Sequence, residues 1–222
     1  MLFSSITFLY YFLPIVLLTY FFTPTKYRNV ILFISSLFFY AWGEPAYIIL
    51  MLISISVGYV FALGMQKYPK YKKLFVMVSL TITLGFLLIF KYTHFFLTNI
   101  NGIFDLGLPE FSFALPIGIS FYTFQAISYL CDVRKIKCEA ERSLVDFGTY
   151  LSMFPQLIAG PIVQYPDVKQ QLHERSYSFH DFIHGLQIFI LGLGSKVLLA
   201  NRIGSLWSQL SVIGYESIST PL

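Results

Sequence analysis

The stretch AYIILMLISISVGYVFALGM, residues 46–65, runs for 20 residues without a charged side chain. As an α-helix it would be about 30 Å long, the thickness of the hydrocarbon core of a bilayer. Further apolar blocks occupy residues 6–22, 74–90, 115–131 and 182–200, and a shorter one occupies residues 29–42. Only 12% of the 222 residues are charged, where a soluble domain carries roughly 25%. The period-two alternation that membrane strands require is not sustained anywhere. The expected fold is therefore all-α: a polytopic transmembrane protein of about six spans, forming a single membrane domain over residues 1–222. Its principal partner is the lipid bilayer, and no nucleic-acid partner is expected.

The charges between the blocks set an orientation. The block at 29–42 would be only about 21 Å long as a helix, short for a crossing. If it nevertheless crosses and turns back at GEP, residues 43–45, the loops at 23–28, 66–73 and 132–143 share one side. Those loops hold Lys26, Arg28, Lys67, Lys70, Lys72, Lys73, Arg134, Lys135, Lys137 and Arg142, ten of the 15 Lys and Arg residues. The opposite loops hold Lys91 with Glu44, Asp105 and Glu110. Positive loops stay in the cytoplasm, which places the N-terminus outside. The first block is not read as a cleaved signal peptide, because it lacks a basic leader and a small-residue cleavage site. A cell-membrane, multi-pass location follows as the expectation.

Other signals have plain structural readings. Cys131 and Cys138 straddle the cytoplasmic end of the fifth block, where a reducing compartment disfavours a disulfide and two cysteines make no zinc site. HDFIH places His180 and His184 at i and i+4 beside Asp181, which is part of a zinc-protease pattern. Ser178 and Asp181 fit a helix N-cap instead, no third ligand is evident, and no metal is expected. His94 reads as an interfacial residue beside Tyr92 and Phe95. GLGSK at 192–196 lacks the upstream glycine of a phosphate-binding loop, and Lys196 is placed to snorkel to a headgroup.

Two stretches have more polarity or more breaks than an anchor needs. In LPIGISFYTFQAISYLCDVRK, residues 115–135, a helical wheel gathers Phe121, Gln125, Ser128 and Asp132 on one face, with Ile119, Ala126, Ile127 and Leu130 opposite. Pro116 and Gly118 are expected to start this helix, with Pro116 in its first turn. Polar groups in hydrocarbon must meet protein or a wet cavity. The face is thus either helix–helix glue or a cavity wall. In FGTYLSMFPQLIAGPIVQYPDV, residues 147–168, Pro155, Gly160, Pro161 and Pro166 leave pieces too short to span. This broken region, 139–180 at its widest, is either re-entrant at membrane depth or a set of interfacial helices lying flat.

Taken in order, MLFSSITFLYYFLPIVLLTYFF, YRNVILFISSLFFYAWGEP, KYTHFF, LPIGISFYTFQAISYLCDV and FPQLIAGPIVQYPDV resemble the N-terminal half of a membrane-bound O-acyltransferase. The likeness is to the bacterial branch of alginate O-acetylation and teichoic-acid D-alanyl transfer proteins. It extends through LGLGSKVLLANRIGSLW, residues 191–207. It implies a ring of helices around a pore that passes an acyl group from a cytoplasmic donor, acetyl-CoA or an acyl-carrier thioester, to an acceptor outside. No covalently bound cofactor is implied. It also implies an extracytoplasmic acetyltransferase as partner, and it favours the cavity-wall reading of Phe121, Gln125, Ser128 and Asp132. The family's histidine lies in a Trp-His-Gly-like motif of the C-terminal half, with an Arg-Arg-Trp-His-like motif upstream of it in the same half. None of His94, His173, His180 or His184 follows a tryptophan here, so no catalytic residue is assigned. The expectation is an N-terminal fragment or split acyltransferase, inactive until completed by the missing half. The alternatives are a non-enzymatic membrane scaffold and part of a transporter or channel.

Overall fold

The computed structural model describes residues 3–104, 107, 109, 111, 113–158, 160–175 and 178–213. Asp105 and Glu110, assigned to the outer loops, lie outside the described residues. Nine helices are described: α1 (Phe8–Phe22), α2 (Arg28–Gly43), α3 (Ile48–Lys67), α4 (Pro69–Phe104), α5 (Ile119–Arg134), α6 (Leu144–Ser152), α7 (Phe154–Leu157), α8 (Tyr165–His173) and α9 (Phe179–Ser211). Short 3-10 turns join some of them, and no strand occurs among the described residues. Three helices, α3, α4 and α9, are long and apolar enough to cross a membrane.

Each apolar block lies largely in a helix, some of them beginning ahead of it, and some helices outrun their blocks. α4 continues through residues 91–104 to Phe104, because no proline interrupts the chain until Pro109 and its polar groups fold onto their own helix. Asn99 Nδ2, for example, donates to the Phe95 carbonyl at 2.6 Å. α9 extends past residue 200 as a continuous run of 33 residues, none of its apolar stretch buried.

Pro14–Glu174 form one compact unit, and the flanking segments form a second. In the first unit α3 is central. It packs against α4, α5 and α6, while α2 lies along α6 and α7. No hydrophobic gradient separates helices from lipid, so close approach has to come from small residues and shape. Ser54, Ala62 and Met65 of α3 are fully or nearly fully buried. The bare Cα of Gly58 accepts the Phe147 ring, which an added Cβ would meet at 2.7 Å.

The broken region belongs to this unit as far as Glu174. α6 is capped by Ser143, whose hydroxyl accepts from the Asp146 N–H at 3.2 Å. Its residues Phe147 through Ser152 are all buried. α6 is therefore enclosed by other helices, whereas Pro155, Gly160, Pro161 and Pro166 beyond it are exposed.

The start of α5 differs from the expectation. Pro116 lies before the helix, in a turn whose carbonyl accepts from Ile119 N–H at 3.2 Å. Gly118 is the N-cap, at φ 75°. The reason is a neighbour. A Cβ on Gly118 would stand 2.6 Å from the Leu157 carbonyl oxygen, so the left-handed turn and the contact both require glycine. The two most specific stretches of the sequence, LPIGIS and FPQL, thus touch at this point. Gly118→Ala is expected to lower the melting temperature in detergent by about 5 °C or more, through left-handed strain of roughly 1–2 kcal/mol plus the clash. Gly85→Ala, with nothing within 4 Å of the new methyl, is the control and is expected to leave stability unchanged or slightly raised. Equal melting temperatures for the two variants would contradict the contact.

Candidate functional site

Of the four residues on the polar face of α5, Gln125 and Asp132 are buried, and Phe121 and Ser128 are half-buried. Gln125 Nε2 donates to the Tyr150 carbonyl at 3.0 Å, and Gln156 Nε2 donates to the same oxygen at 2.7 Å. Tyr150 sits in the last turn of α6, where carbonyls have no intrahelical donor. Two glutamine amides supply what the helix end lacks. Asp132 pairs one oxygen with Lys137 at 3.5 Å, and its other oxygen is buried without a hydrogen-bond partner among the described residues. Two small cavities lie nearby. One of about 80 Å³ is lined by Gln66, Lys72, Val133, Ile136, Cys138, Glu139 and Ala140. A cleft of about 20 Å³ touches Tyr40, Glu44, Ile117 and Leu157. The four face residues line neither.

A second constellation assembles where the α5–α6 loop meets α6 and α8. Its floor is a cage of aromatic rings: Tyr129 to Phe147 at 4.6 Å, Tyr129 to Tyr165 at 5.0 Å and Tyr150 to Tyr165 at 5.1 Å between centroids. Aromatic pairs at these separations contribute beyond the area they bury, and the phenols at the cage edge reach polar partners. Tyr129 Oη accepts from the Glu141 N–H at 2.8 Å, and Tyr150 Oη donates to the Val163 carbonyl at 2.9 Å.

Glu141, only 6% exposed, is the centre of the constellation. One carboxylate oxygen accepts the Ser143 N–H at 2.9 Å. The other accepts the Tyr165 hydroxyl and pairs with His173 Nε2 at 3.1 Å. The opposite ring nitrogen of His173 stands 4.0 Å from Asp146. Asn29 Nδ2 of α2 donates to Asp146 at 2.5 Å and to the Leu172 carbonyl at 2.9 Å. One ligand-type atom each from Glu141, Asp146 and His173 lie within 4.8 Å of one another.

Burial by itself would raise the Glu141 carboxyl. Hydrogen bonds from Tyr165, the Ser143 N–H and His173, with the His173 charge, outweigh it and hold the group below its ordinary range. A carboxyl depressed on folding adds stability that is complete above the ordinary glutamate range and is lost as pH falls below that range and through the depressed folded value.

Sequence reasoning did not single out Glu141, Asp146, Tyr165 or Asn29, and considered His173 only for the family's histidine motif. The legible signal was SLVD, residues 143–146, a capping pattern of Ser followed three residues later by an acid, with a glutamate just before it. His180 and His184 sit on α9 with ring centroids 6.5 Å apart, both exposed. Ser178 caps α9 as expected, accepting from Asp181 N–H at 3.0 Å. His94 is exposed, its ring 3.3 Å from the Thr98 hydroxyl.

The chain is 35% identical over 215 residues to the probable alginate O-acetylase AlgI of Pseudomonas syringae pv. tomato. It is 34% identical over 218 residues to the probable alginate O-acetylase AlgI of Pseudomonas aeruginosa. The chain is homologous to bacterial proteins named as alginate O-acetylases. It is also 32% identical over 236 residues to the peptidoglycan O-acetyltransferase of Helicobacter pylori. The alignments cover 91%, 93% and 91% of this chain, and 40%, 41% and 45% of those relatives. The chain thus spans about two-fifths of the length of the curated relatives it matches. The resemblance to the membrane-bound O-acyltransferases is borne out. No family model matches the chain, and no solved structure matches it.

Glu141→Gln removes the ionisable partner of this O-acetylase homologue's loop cluster while keeping its shape. At pH 7 the variant is expected to melt roughly 3–8 °C below the unsubstituted chain, from the loss of charge-assisted hydrogen bonds. The unsubstituted chain is expected to lose this stability as pH falls below the ordinary glutamate value of about 4.3 and through the depressed folded one. The variant is expected to show a shallower loss, measured in chelator-containing detergent buffer. Identical melting temperatures and pH slopes would contradict the assignment of Glu141 as the centre.

Proposed function

We infer that the chain supplies the framework of a membrane-bound O-acetyltransferase that modifies hydroxyl groups of an exported cell-surface polysaccharide. One observation carries this reading: similarity over nine-tenths of the chain to proteins named for two different O-acetylated glycans, alginate and peptidoglycan. What the two share is a sugar hydroxyl outside the cell and an acetyl group to place on it. The donor is an acetyl thioester on the cytoplasmic side, where the basic loops of residues 66–73 and 132–143 lie in the proposed orientation.

The chain holds no Trp-His-Gly-like motif, so the general base for the acceptor hydroxyl comes from the complementary half of the fold. In this reading the chain's own contribution is architectural. Gln125 ties α5 to the end of α6. Phe121 and Ser128, which keep partial exposure, face the chamber, and Asp132 lies at its cytoplasmic end. An extracytoplasmic acetyltransferase receives the acetyl group.

Cells that export a suitable glycan test this reading. In cells that also hold the extracytoplasmic acetyltransferase, glycan-bound acetyl is expected when the chain is co-expressed with a polypeptide carrying the family's Trp-His-Gly-containing half, and not with either half alone. Acetylation by the chain alone, or none from the co-expressed pair despite both being in the membrane, would contradict it. In the assembled pair, Ser128→Cys in a cysteine-free background is expected to react with a water-soluble maleimide at least tenfold faster than Ala126→Cys, which is fully buried. Equal rates would remove the chamber wall.

A further inference from the structure

We propose that Glu141, Asp146 and His173 form a binding site for a divalent transition-metal ion, zinc foremost, at the junction of the α5–α6 loop with α6 and α8. This does not rest on the acetyltransferase reading, because it follows from the loop cluster alone.

The geometry suits an ion. Ligand atoms around a tetrahedral zinc, bonded at about 2.0–2.1 Å, stand roughly 3.3–3.4 Å apart. Glu141 Oε2 stands 3.1 Å from His173 Nε2, close to that value, and one ligand atom each from Glu141, Asp146 and His173 lie within 4.8 Å of one another. The three come from a loop and two helices, so the arrangement is tertiary and not a local acidic run. Asp146 Oδ2 stands 4.0 Å from His173 Nδ1, too far for a hydrogen bond, so that carboxylate oxygen is not committed to the ring.

The carboxylates are also held as ligands usually are. Metal-binding groups are oriented by second partners that do not themselves bind the ion. Tyr165 and the Ser143 N–H orient Glu141, and Asn29 orients Asp146 through the oxygen that does not face His173. Tyr165 is itself packed in the aromatic cage, so the orienting group is fixed.

Charge points the same way. Two carboxylates meet one imidazole, and a divalent ion neutralises the pair as a single ring cannot. The His173 side chain is 43% exposed, which gives an entry route and a position for water in the fourth site. One nitrogen and two oxygens without sulfur suit zinc or manganese, whereas calcium takes six to eight oxygens and magnesium near-octahedral oxygen sites. Once bound, the ion would fasten the C-terminal end of α8 to the start of α6.

The test uses the full chain in detergent, stripped with a chelator and titrated with zinc chloride by calorimetry. Because His180 and His184 form an exposed pair on α9, the titration is made in the His180→Ala/His184→Ala background. One zinc per chain is expected, with a rise in melting temperature that magnesium at the same concentration does not produce. His173→Gln and Asp146→Asn, each checked for unchanged helicity, are expected to weaken zinc binding at least tenfold. No binding in the double-alanine background would overturn the proposal even if other variants fail to fold. So would binding that both substitutions leave unchanged.

Discussion

A broken helix in an apolar surrounding leaves carbonyls and amides with no water to turn to, and the rest of this structure is arranged around that need. The chain breaks after Ser152, and the groups released there are met one by one. Gln125 and Gln156 both donate to the Tyr150 carbonyl. The Phe154 N–H finds the buried Ser36 hydroxyl of α2 at 3.2 Å, and the Tyr150 hydroxyl reaches Val163. An unmet group of this kind costs about 1–3 kcal/mol in a protein interior. The donors therefore decide which helices can surround the break. Helices α2 and α5 are bound to it by hydrogen bonds, and Gly118 lets α5 approach the Leu157 carbonyl without a side chain in the way.

The same logic produces the loop cluster. Glu141 is buried because Tyr129 and Tyr165 close over it, and it stays charged because three donors point at it. Asn29 performs two tasks at once: it holds Asp146 and satisfies the Leu172 carbonyl near the end of α8. Helices α2, α6 and α8 are thereby joined through side chains and not only through packing. In the proposed function such a frame would serve as the wall of an acyl-transfer chamber, where reacting groups must meet at fixed distances.

Much of the helical layout was legible because apolar length is a one-dimensional signal. The short block at residues 29–42 lies within Arg28–Gly43, and the central block at 46–65 falls in Ile48–Lys67 except for its first two residues. The wheel also picked Gln125 as a residue needing a partner. What it could not supply was the partner, since Tyr150 lies 25 residues further on and the bond depends on where α6 ends. Pro116 was placed inside α5 from the preference of proline for a first turn. The contact between Gly118 and Leu157 moved the helix start to Ile119, and contacts of that kind leave no local pattern. Glu141, Asp146 and His173 belong to the same class. Each looks like an ordinary loop or helix-end charge until α8 folds back on the loop.

Amide hydrogen exchange of the purified chain in detergent tests most directly whether the broken region is enclosed by the other helices. The account predicts that amides of residues 147–152 exchange within about tenfold of those in the buried middle of α3, because both open only when the packed unit opens. Exchange several hundredfold faster at 147–152 than in α3 would show a surface helix that frays independently. That result would contradict the enclosed frame on which the rest depends.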